Sequence, residues 1–343
     1  MTDIIQFSRR GFMALPVVAV AACQKAAEPV EMSGNTMGTT YNIVALDHTR
    51  QIKTPEVQAA VDAALAKVNA EMSNWDAGSE ISTINAADAG ILPMSSGMMD
   101  VLTAARDVHD ATDGQFDVTL GPLVELWGFG AGHTAMQIPS DAAIDKVLAT
   151  TGQAKMFTVE GDTLKKRSSN AEIILSSIGK GYGVDAVAQV LRDFGMNDFM
   201  VEIGGDLYVS GRNPNGLEWQ IGIEAPDATA RTVQHIAKAS NLGMATSGDY
   251  RNYFDFEGQR YSHILDAKTG RPVQHTTTSV TVLAENAMLA DAWATGLLAL
   301  GKERGLEIAN SREIAALFIE RVGEADDIQY VTTQSSKFHA LQA

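Results

Sequence analysis

The sequence predicts an α+β fold, one compact domain in which a mixed, largely antiparallel sheet packs against helices. Three observations lead there. Helical and strand-like stretches are interleaved without the strict alternation of a doubly wound parallel sheet. The second half, from about residue 198 to 284, reads as a run of short strands separated by Gly-rich turns, as antiparallel meanders do. No Pro-, Gly- or Ser-rich linker divides the chain after residue 34.

The first 22 residues read as an export signal, outside the fold. Arg9 and Arg10 form a basic region, and 11–22 is an apolar run of 12 residues, too short to span a bilayer as a helix. Val20-Ala21-Ala22-Cys23 is a small-residue cleavage site ending in the chain's one cysteine. This arrangement resembles a bacterial lipoprotein signal, in which the cysteine is acylated and becomes the new N-terminus. An ordinary secretory peptide with an incidental cysteine is the other reading. Ser8-Arg9-Arg10-Gly11-Phe12-Met13 also resembles a twin-arginine export motif. Residues 23–34, small, polar and acidic, then read as a lipidated tether, and 35–343 as the domain. With Cys23 acylated, no disulfide is available, so the fold rests on core packing.

Residues 35–46 alternate as a first strand. Thr54-Pro55-Glu56 starts a helix, with Val57, Val61, Leu65, Val68 and Met72 at helical spacing. Ser95 or Ser96 caps a second helix, which carries Met99, Leu102, Ala105 and Val108 and ends at Asp113-Gly114. A short strand at 116–119, a loop at 121–132, a helix at 140–150 and strands near 155–159 and 172–176 follow. Gly179-Lys180-Gly181 leads into a helix stopped by Gly195. Strands are expected at 198–203, 206–210, 219–224, 232–238, 252–256, 260–265 and 277–284. A helix over 287–301 comes next, capped by Asn286 and stopped by Gly301, then a helix near 302–310 and strands near 314–320 and 328–332.

Composition narrows the partners. With a net charge of −16 the chain lacks the basic face that nucleic acid requires, and its 45% hydrophobic content supplies a large core. Function concentrates where loops break regular structure. Four breaks qualify: Ser176-Ser177-Ile178-Gly179-Lys180-Gly181, Glu202-Ile203-Gly204-Gly205-Asp206, 245–250, and 262–272 with His263 at a strand end. Each also fits a plain turn. A histidine in such a place can act as a base near neutral pH or serve only as structure. Trp75 and Trp127 lie in breaks, where aromatics stack on planar ligands or close off the core.

The 287–301 helix is apolar on all sides, and Asp291 is its one carboxylate. A buried carboxylate needs a counter-charge. Thr295, one turn on, would complete a small oxygen site for a hard cation such as Mg²⁺. An Arg or Lys from elsewhere in the chain would satisfy Asp291 equally well.

In order along the chain, these segments resemble the FAD:protein FMN transferases, also called the ApbE or thiamine-biosynthesis-lipoprotein family. The residues that carry the resemblance include Met37-Gly38-Thr39, Met72-Ser73-Asn74-Trp75, Phe116-Asp117-Val118-Thr119, Leu126-Trp127-Gly128-Phe129, and Ser177 to Tyr182 with Asp185. It continues through Ile203-Gly204-Gly205-Asp206, Thr246-Ser247-Gly248, His263-Ile264-Leu265-Asp266, and Asp291 with Thr295. The resemblance implies Mg²⁺-dependent cleavage of the FAD pyrophosphate, with FMN passed to a Thr or Ser hydroxyl of a target flavoprotein and AMP released. It implies Mg²⁺ on Asp291, Thr295 and an oxygen of Ser177, with His263 as the base for the acceptor hydroxyl. Trp75 takes the position against the flavin ring, and Met37, Trp127, Gly128, Phe129, Lys180 and Leu265 line FAD. The implied acceptor is a subunit of a membrane redox complex, with the enzyme tied to the membrane through its N-terminal lipid on the periplasmic side. Asp206 stands where a Glu or Asn is more usual, and Trp75 where Tyr is frequent. Transfer to water, as a FAD pyrophosphatase, and plain flavin binding are the competing functions.

Overall fold

The computed structural model describes residues 27–130, 136–227, 232–323 and 328–343. The export signal and Cys23 lie outside the described residues, as do positions 131 and 132 at the end of the expected Gly loop.

The chain begins with a hairpin, β1 (Glu28–Thr36) and β2 (Thr39–Asp47), where the sequence suggests a tether and a single strand. Residues 28–34 therefore belong to the folded sheet. The strand is hard to read because β1 is an edge strand with only Met32 and Thr36 fully buried. Its turn is Met37-Gly38, both at positive φ (49° and 72°), and methionine is an uncommon residue for that conformation.

A helical lobe follows. It comprises α1 (Thr54–Met72), α2 (Glu80–Ala86), β3 (Gly90–Pro93), α3 (Ser96–Ala111), α4 (Gly121–Leu126), α5 (Asp141–Leu148), α6 (Gln153–Met156), β4 (Phe157–Glu160) and β5 (Thr163–Lys166). The buried positions of α1 are Val57, Val61, Leu65, Val68 and Met72, the expected stripe. Three expected elements change. Residues 121–126 form α4 rather than a loop, with a proline in its first turn. Residues 116–119 form a turn instead of a strand, in which the Asp117 carboxylate accepts from Thr119 N at 2.7 Å and Gln153 N at 2.8 Å. Residues 172–176 are extended but belong to no sheet. Side-chain amides take the place of a partner strand: Asn85 Oδ1 accepts from Ile173 N (2.8 Å), and Asn74 Oδ1 accepts from Leu175 N (3.1 Å).

Lys166 is the lobe's one buried cation among the described residues. It is 3% exposed, and its Nζ donates to the carbonyls of Ile84 (3.0 Å), Asn85 (2.6 Å) and Ala87 (2.8 Å). These carbonyls close α2, where a helix has no internal donors left. Lys166→Met keeps the stem but removes a donor from all three carbonyls, of which only that of Ile84 keeps another, the Ala87 N–H at 3.3 Å. It should cost roughly 3 kcal/mol of unfolding free energy, read as a lower urea midpoint at unchanged m-value.

The remaining elements build the main sheet and its cover. They are α7 (Gly179–Asp193), β6 (Phe199–Ile203), β7 (Asp206–Ser210), β8 (Trp219–Glu224), β9 (Val233–Ala239), β10 (Leu242–Gly248), β11 (Tyr253–Phe256), β12 (Gln259–Ser262), β13 (Leu265–Asp266), β14 (Arg271–Pro272) and β15 (Thr277–Ala284). After them come α8 (Ala287–Ser311), β16 (Ala315–Val322), β17 (Gln329–Gln334) and α9 (Ser336–Gln342). The sheet runs β1-β2-β6-β7-β10-β15-β16-β17, and every neighbouring pair is antiparallel. The α+β class and the antiparallel sheet are as the sequence predicts. One central strand, β10, covers a segment that reads as a polar loop at 245–248.

Alternation along each strand assigns two faces. Ile43, Val201 and Ile203 meet Val61 of α1 and Val187 of α7, while Val280, Val282 and Phe318 meet Ala290, Ala294 and Leu297 of α8. The other face, with Leu207, Met244 and Leu317, is covered by Trp219 and Ile221 of the β8–β9 hairpin and by Phe338 of α9. Helix α8 also joins the lobe's own cluster through Ala292. The part of α8 before Gly301, packed between a sheet and a second helical layer, has no solvent side, which is why 287–300 is apolar all round.

Candidate active site

Both expected ends of α8 form. Asn286 caps it, its side chain accepting from Leu289 N at 2.8 Å. Gly301 (φ 75°) breaks it, and helix resumes beyond it, as the two expected helices require. The Asp185 carboxylate of α7 adds a second cap, accepting from Ala287 N and Met288 N, each at 2.9 Å. Burial pushes the Asp185 carboxyl up to about 6, against the pull of these two N–H groups. Helices α7 and α8 approach so closely that a Cβ at Gly181 would lie 2.2 Å from the Ala287 carbonyl oxygen. The Gly-Lys-Gly run is therefore a close-approach device that aims the start of α7 at α8.

That approach creates a charge cluster. Asp291, 3% exposed, accepts from the backbone N of Gly181 at 3.2 Å and lies 3.5 Å from Lys180 Nζ. Lys180 lies closer, at 2.6 Å, to Asp206, which is also 3% exposed. Asp206 is the first residue of β7, placed by the two-residue Gly204-Gly205 turn (φ 56° and 100°) that joins β6 to β7. Burial, and then the neighbouring Asp291 carboxylate, push the Asp206 carboxyl well above its usual range, against the Lys180 ammonium. Burial alone would lower Lys180, but the Asp291 and Asp206 carboxylates outweigh it and hold its ammonium above the ordinary lysine value. Two acids share one ammonium, so the fully ionised cluster has a net negative charge.

One turn along α8, the Thr295 hydroxyl is 3.0 Å from Ser247 Oγ on β10. Ser177 lies in the turn that leads into α7. The site thus gathers Lys180, Asp206, Asp291, Thr295 and Ser247 around the start of α7. The ion-pair alternative for Asp291 is realised, with Lys180 as its partner. Asp206 and Ser247 lie in stretches the sequence marks as breaks, but only the fold brings them to Asp291.

Trp75 has its side chain in solvent, 79% exposed, the most exposed of the large apolar residues described. Its neighbour Asn74 ties this loop to Ile173 and Leu175, two residues before Ser177. Met37, at the β1–β2 turn, is half-buried and lies against Gly183 of α7.

Trp127 is not the stacking surface its loop position suggests. It is 1% exposed, its indole N–H donates to the Gly270 carbonyl at 2.8 Å, and its ring stacks on Tyr261. Here the ring is packed inside the protein rather than presented to solvent. Phe129 and Leu265 are 9% and 4% exposed and join Trp127 in one apolar cluster, while Gly128 (φ 80°) makes the bend between Trp127 and Phe129.

His263 follows β12, with the Phe129 ring edge-on at 6.4 Å. Its Nδ1 is 3.1 Å from the Asn252 carbonyl oxygen. A carbonyl only accepts, so Nδ1 carries the proton and Nε2 keeps a free lone pair. Burial lowers the imidazole pKa, with the Asn252 bond acting the other way. A neutral imidazole with an open Nε2 has the form of a general base. Ile264, beside it, packs with Ala294 and Leu297 of α8, so α8 links this histidine to the charge cluster.

Known proteins resemble this chain in sequence and fold. The FAD:protein FMN transferase of Vibrio cholerae serotype O1 is 41% identical over 309 residues, covering 90% of this chain and 92% of that protein. The FAD:protein FMN transferase of Haemophilus influenzae is 39% identical over 337 residues, 94% of each chain. Among solved structures, the flavin transferase ApbE from Vibrio cholerae superposes with a TM-score of 0.84 at 40% identity, covering 92% of this chain and 99% of that one. The apo flavinyl transferase ApbE of Pseudomonas stutzeri gives 0.83 at 35% identity, covering 92% and 97%. The ApbE family pattern matches residues 37–318, which with these relatives shows that the chain belongs to the ApbE family.

Proposed function

We propose that this protein is a Mg²⁺-dependent FAD:protein FMN transferase. The observation that carries the metal part is the pair of buried carboxylates, Asp206 and Asp291, held by a single ammonium next to the Thr295 hydroxyl. All the donors are hard oxygens, which suit Mg²⁺ rather than a softer ion. No three His, Cys, Asp or Glu side chains converge among the described residues. That also suits Mg²⁺, which commonly takes one or two carboxylates and fills its other positions with substrate phosphate oxygens and water. Asp291, Thr295 and an oxygen of Ser177 would hold it. Bound there, it would neutralise charge on the FAD pyrophosphate.

The chain's own groups do the rest. Trp75 offers an exposed ring for the isoalloxazine to stack on. His263 Nε2 takes the proton from the acceptor hydroxyl as its oxygen attacks the FMN-side phosphorus. The bond from that phosphorus to the bridging oxygen breaks, AMP leaves with the bridging oxygen, and FMN stays on the acceptor as a phosphoester. Phosphoryl transfer of this kind depends on positioning and charge neutralisation rather than on a covalent enzyme intermediate.

The acceptor is a flavoprotein that presents a Thr or Ser hydroxyl, and we place it at the membrane, where lipid on Cys23 would hold the enzyme. The basic, apolar and small-residue order of 1–23 supports export and acylation. No described helix is long and apolar enough to cross a membrane.

The test is incubation with FAD, Mg²⁺ and a candidate acceptor domain, followed by in-gel flavin fluorescence and AMP assay. Fluorescent acceptor with AMP in equal amount is expected. AMP without labelling would make the protein a pyrophosphatase, and neither product would overturn both enzymatic readings. Mass spectrometry of the same protein from the membrane fraction should show acyl chains on Cys23; a free thiol in soluble protein would overturn the anchor.

A further inference from the structure

Lys180 stands between two buried acids and holds them unequally. Its Nζ is 2.6 Å from Asp206 Oδ2 and 3.5 Å from Asp291 Oδ2. Both carboxylate side chains are 4% exposed, while the lysine side chain is 32% exposed. The acids are fixed, one at the start of a central strand and the other within a buried helix that also takes the Gly181 N–H. The lysine side chain is about a third exposed and has a flexible stem, so it is the group of the three that can move.

Electrostatics makes that freedom consequential. Without another cation, two buried carboxylates require a counter-charge, and Lys180 supplies it. A divalent cation on Asp291 would face the ammonium at a few ångströms, where like charges repel strongly in a site shielded from water. One of the two must yield, and the weaker lysine contact is the one to Asp291.

Building on the metal-binding reading of Asp291, we propose that Lys180 is the built-in counter-ion of the Asp206–Asp291 pair, releasing Asp291 to an incoming divalent cation while keeping Asp206. Lys180 is then a positioning residue with two effects. It keeps the metal-free chain folded around the two acids, and it competes with the metal, so it sets the concentration at which the site fills. A site without this lysine would bind metal more tightly and depend on metal for its stability.

The experiment is calorimetric titration of Mg²⁺ into the full chain without FAD, comparing the wild type with Lys180→Met, and thermal melts with and without Mg²⁺. The Met variant should bind Mg²⁺ at least about tenfold more tightly. Its metal-free melting temperature should fall, and Mg²⁺ should raise it by more than it raises the wild type's. Lys180→Gln is also neutral but keeps an amide donor for Asp206; it should shift affinity in the same direction and serves where the Met variant does not fold. Unchanged or weaker Mg²⁺ binding in both variants, with only a lower melting temperature, would reduce Lys180 to a plain salt bridge and overturn the proposal. A different failure belongs to the metal reading itself: a wild type that takes up no Mg²⁺, or an Asp291→Asn variant that binds it as well as the wild type.

Discussion

Replacing Asp291 with Ala abolishes FMN transfer and leaves the fold standing. The expected loss is at least about a thousandfold, since phosphoryl transfer draws nearly all its catalysis from positioning and charge neutralisation. The fold should survive because Asp291 is the weaker member of its cluster. With it gone, Lys180 keeps Asp206 at 2.6 Å, and no buried ammonium is orphaned. One backbone donor, Gly181 N, loses its acceptor, a cost of about 1–3 kcal/mol. Relief of the repulsion between two adjacent carboxylates offsets part of it. Helix α8 keeps both caps, Asn286 and Asp185, which lie a turn away from the substitution. In-gel flavin fluorescence reads the activity, and circular dichroism with a thermal melt reads the fold. A variant that labels acceptor at the wild-type rate in excess chelator would refute the metal assignment. An unfolded one would mean that Asp291 is a structural ion pair.

How far the sequence alone reaches depends on what kind of signal each element leaves. Helix α8 is legible in full because its cap, its break and its uniform apolarity all lie within its own residues. The same holds for α1, whose inward stripe repeats at helical spacing. The strands that escape notice are those whose pairing supplies what their side chains do not. β1 is an edge strand with little to bury, and β10 is a central strand whose second half, Ala245–Gly248, carries only small side chains. The 172–176 segment shows the reverse: its apolar pattern is that of a strand, yet the amides of Asn74 and Asn85 hold it outside every sheet.

The site divides along the same line. That Asp291 is buried is legible, since no other charged residue lies on 287–301. Its partners are not, because Lys180 and Asp206 reach it through the packing of α7 on α8 and through the register of the Gly204-Gly205 hairpin. The two candidate tryptophans also separate only in three dimensions. Both sit in Gly-rich or polar breaks, but Trp75 is left in solvent while Trp127 finds a carbonyl for its N–H and an aromatic partner for its ring. Loop position marks an aromatic as unusual; whether its ring is buried or left in solvent is decided by the packing around it.

Replacing His263 with Gln should lower transfer by about a hundredfold to ten-thousandfold, the usual range for a lost general base, with FAD binding unchanged. The wild-type pH profile carries the sharper test. Burial lowers the His263 pKa below the ordinary histidine value, so the imidazole stays neutral, and competent as a base, into mildly acidic solution. Wild-type kcat/KM should therefore hold level down to pH 6.5 and fall only below it, and the Gln variant should lack that acid limb. Stability follows the same sign. The unfolded chain takes up a proton near pH 6.5 and the folded chain only at lower pH, so the folded state is favoured above pH 6.5 and loses that advantage as pH drops through the folded value. The variant should accordingly be less sensitive to mild acid. These two readouts separate a catalytic from a structural histidine. A base removes the acid limb of the rate and leaves a protein that still binds FAD, whereas a residue that only fills space beside Phe129 would change FAD binding or stability and leave the pH profile in place. An acid limb that persists in the Gln variant would pass the proton to another group.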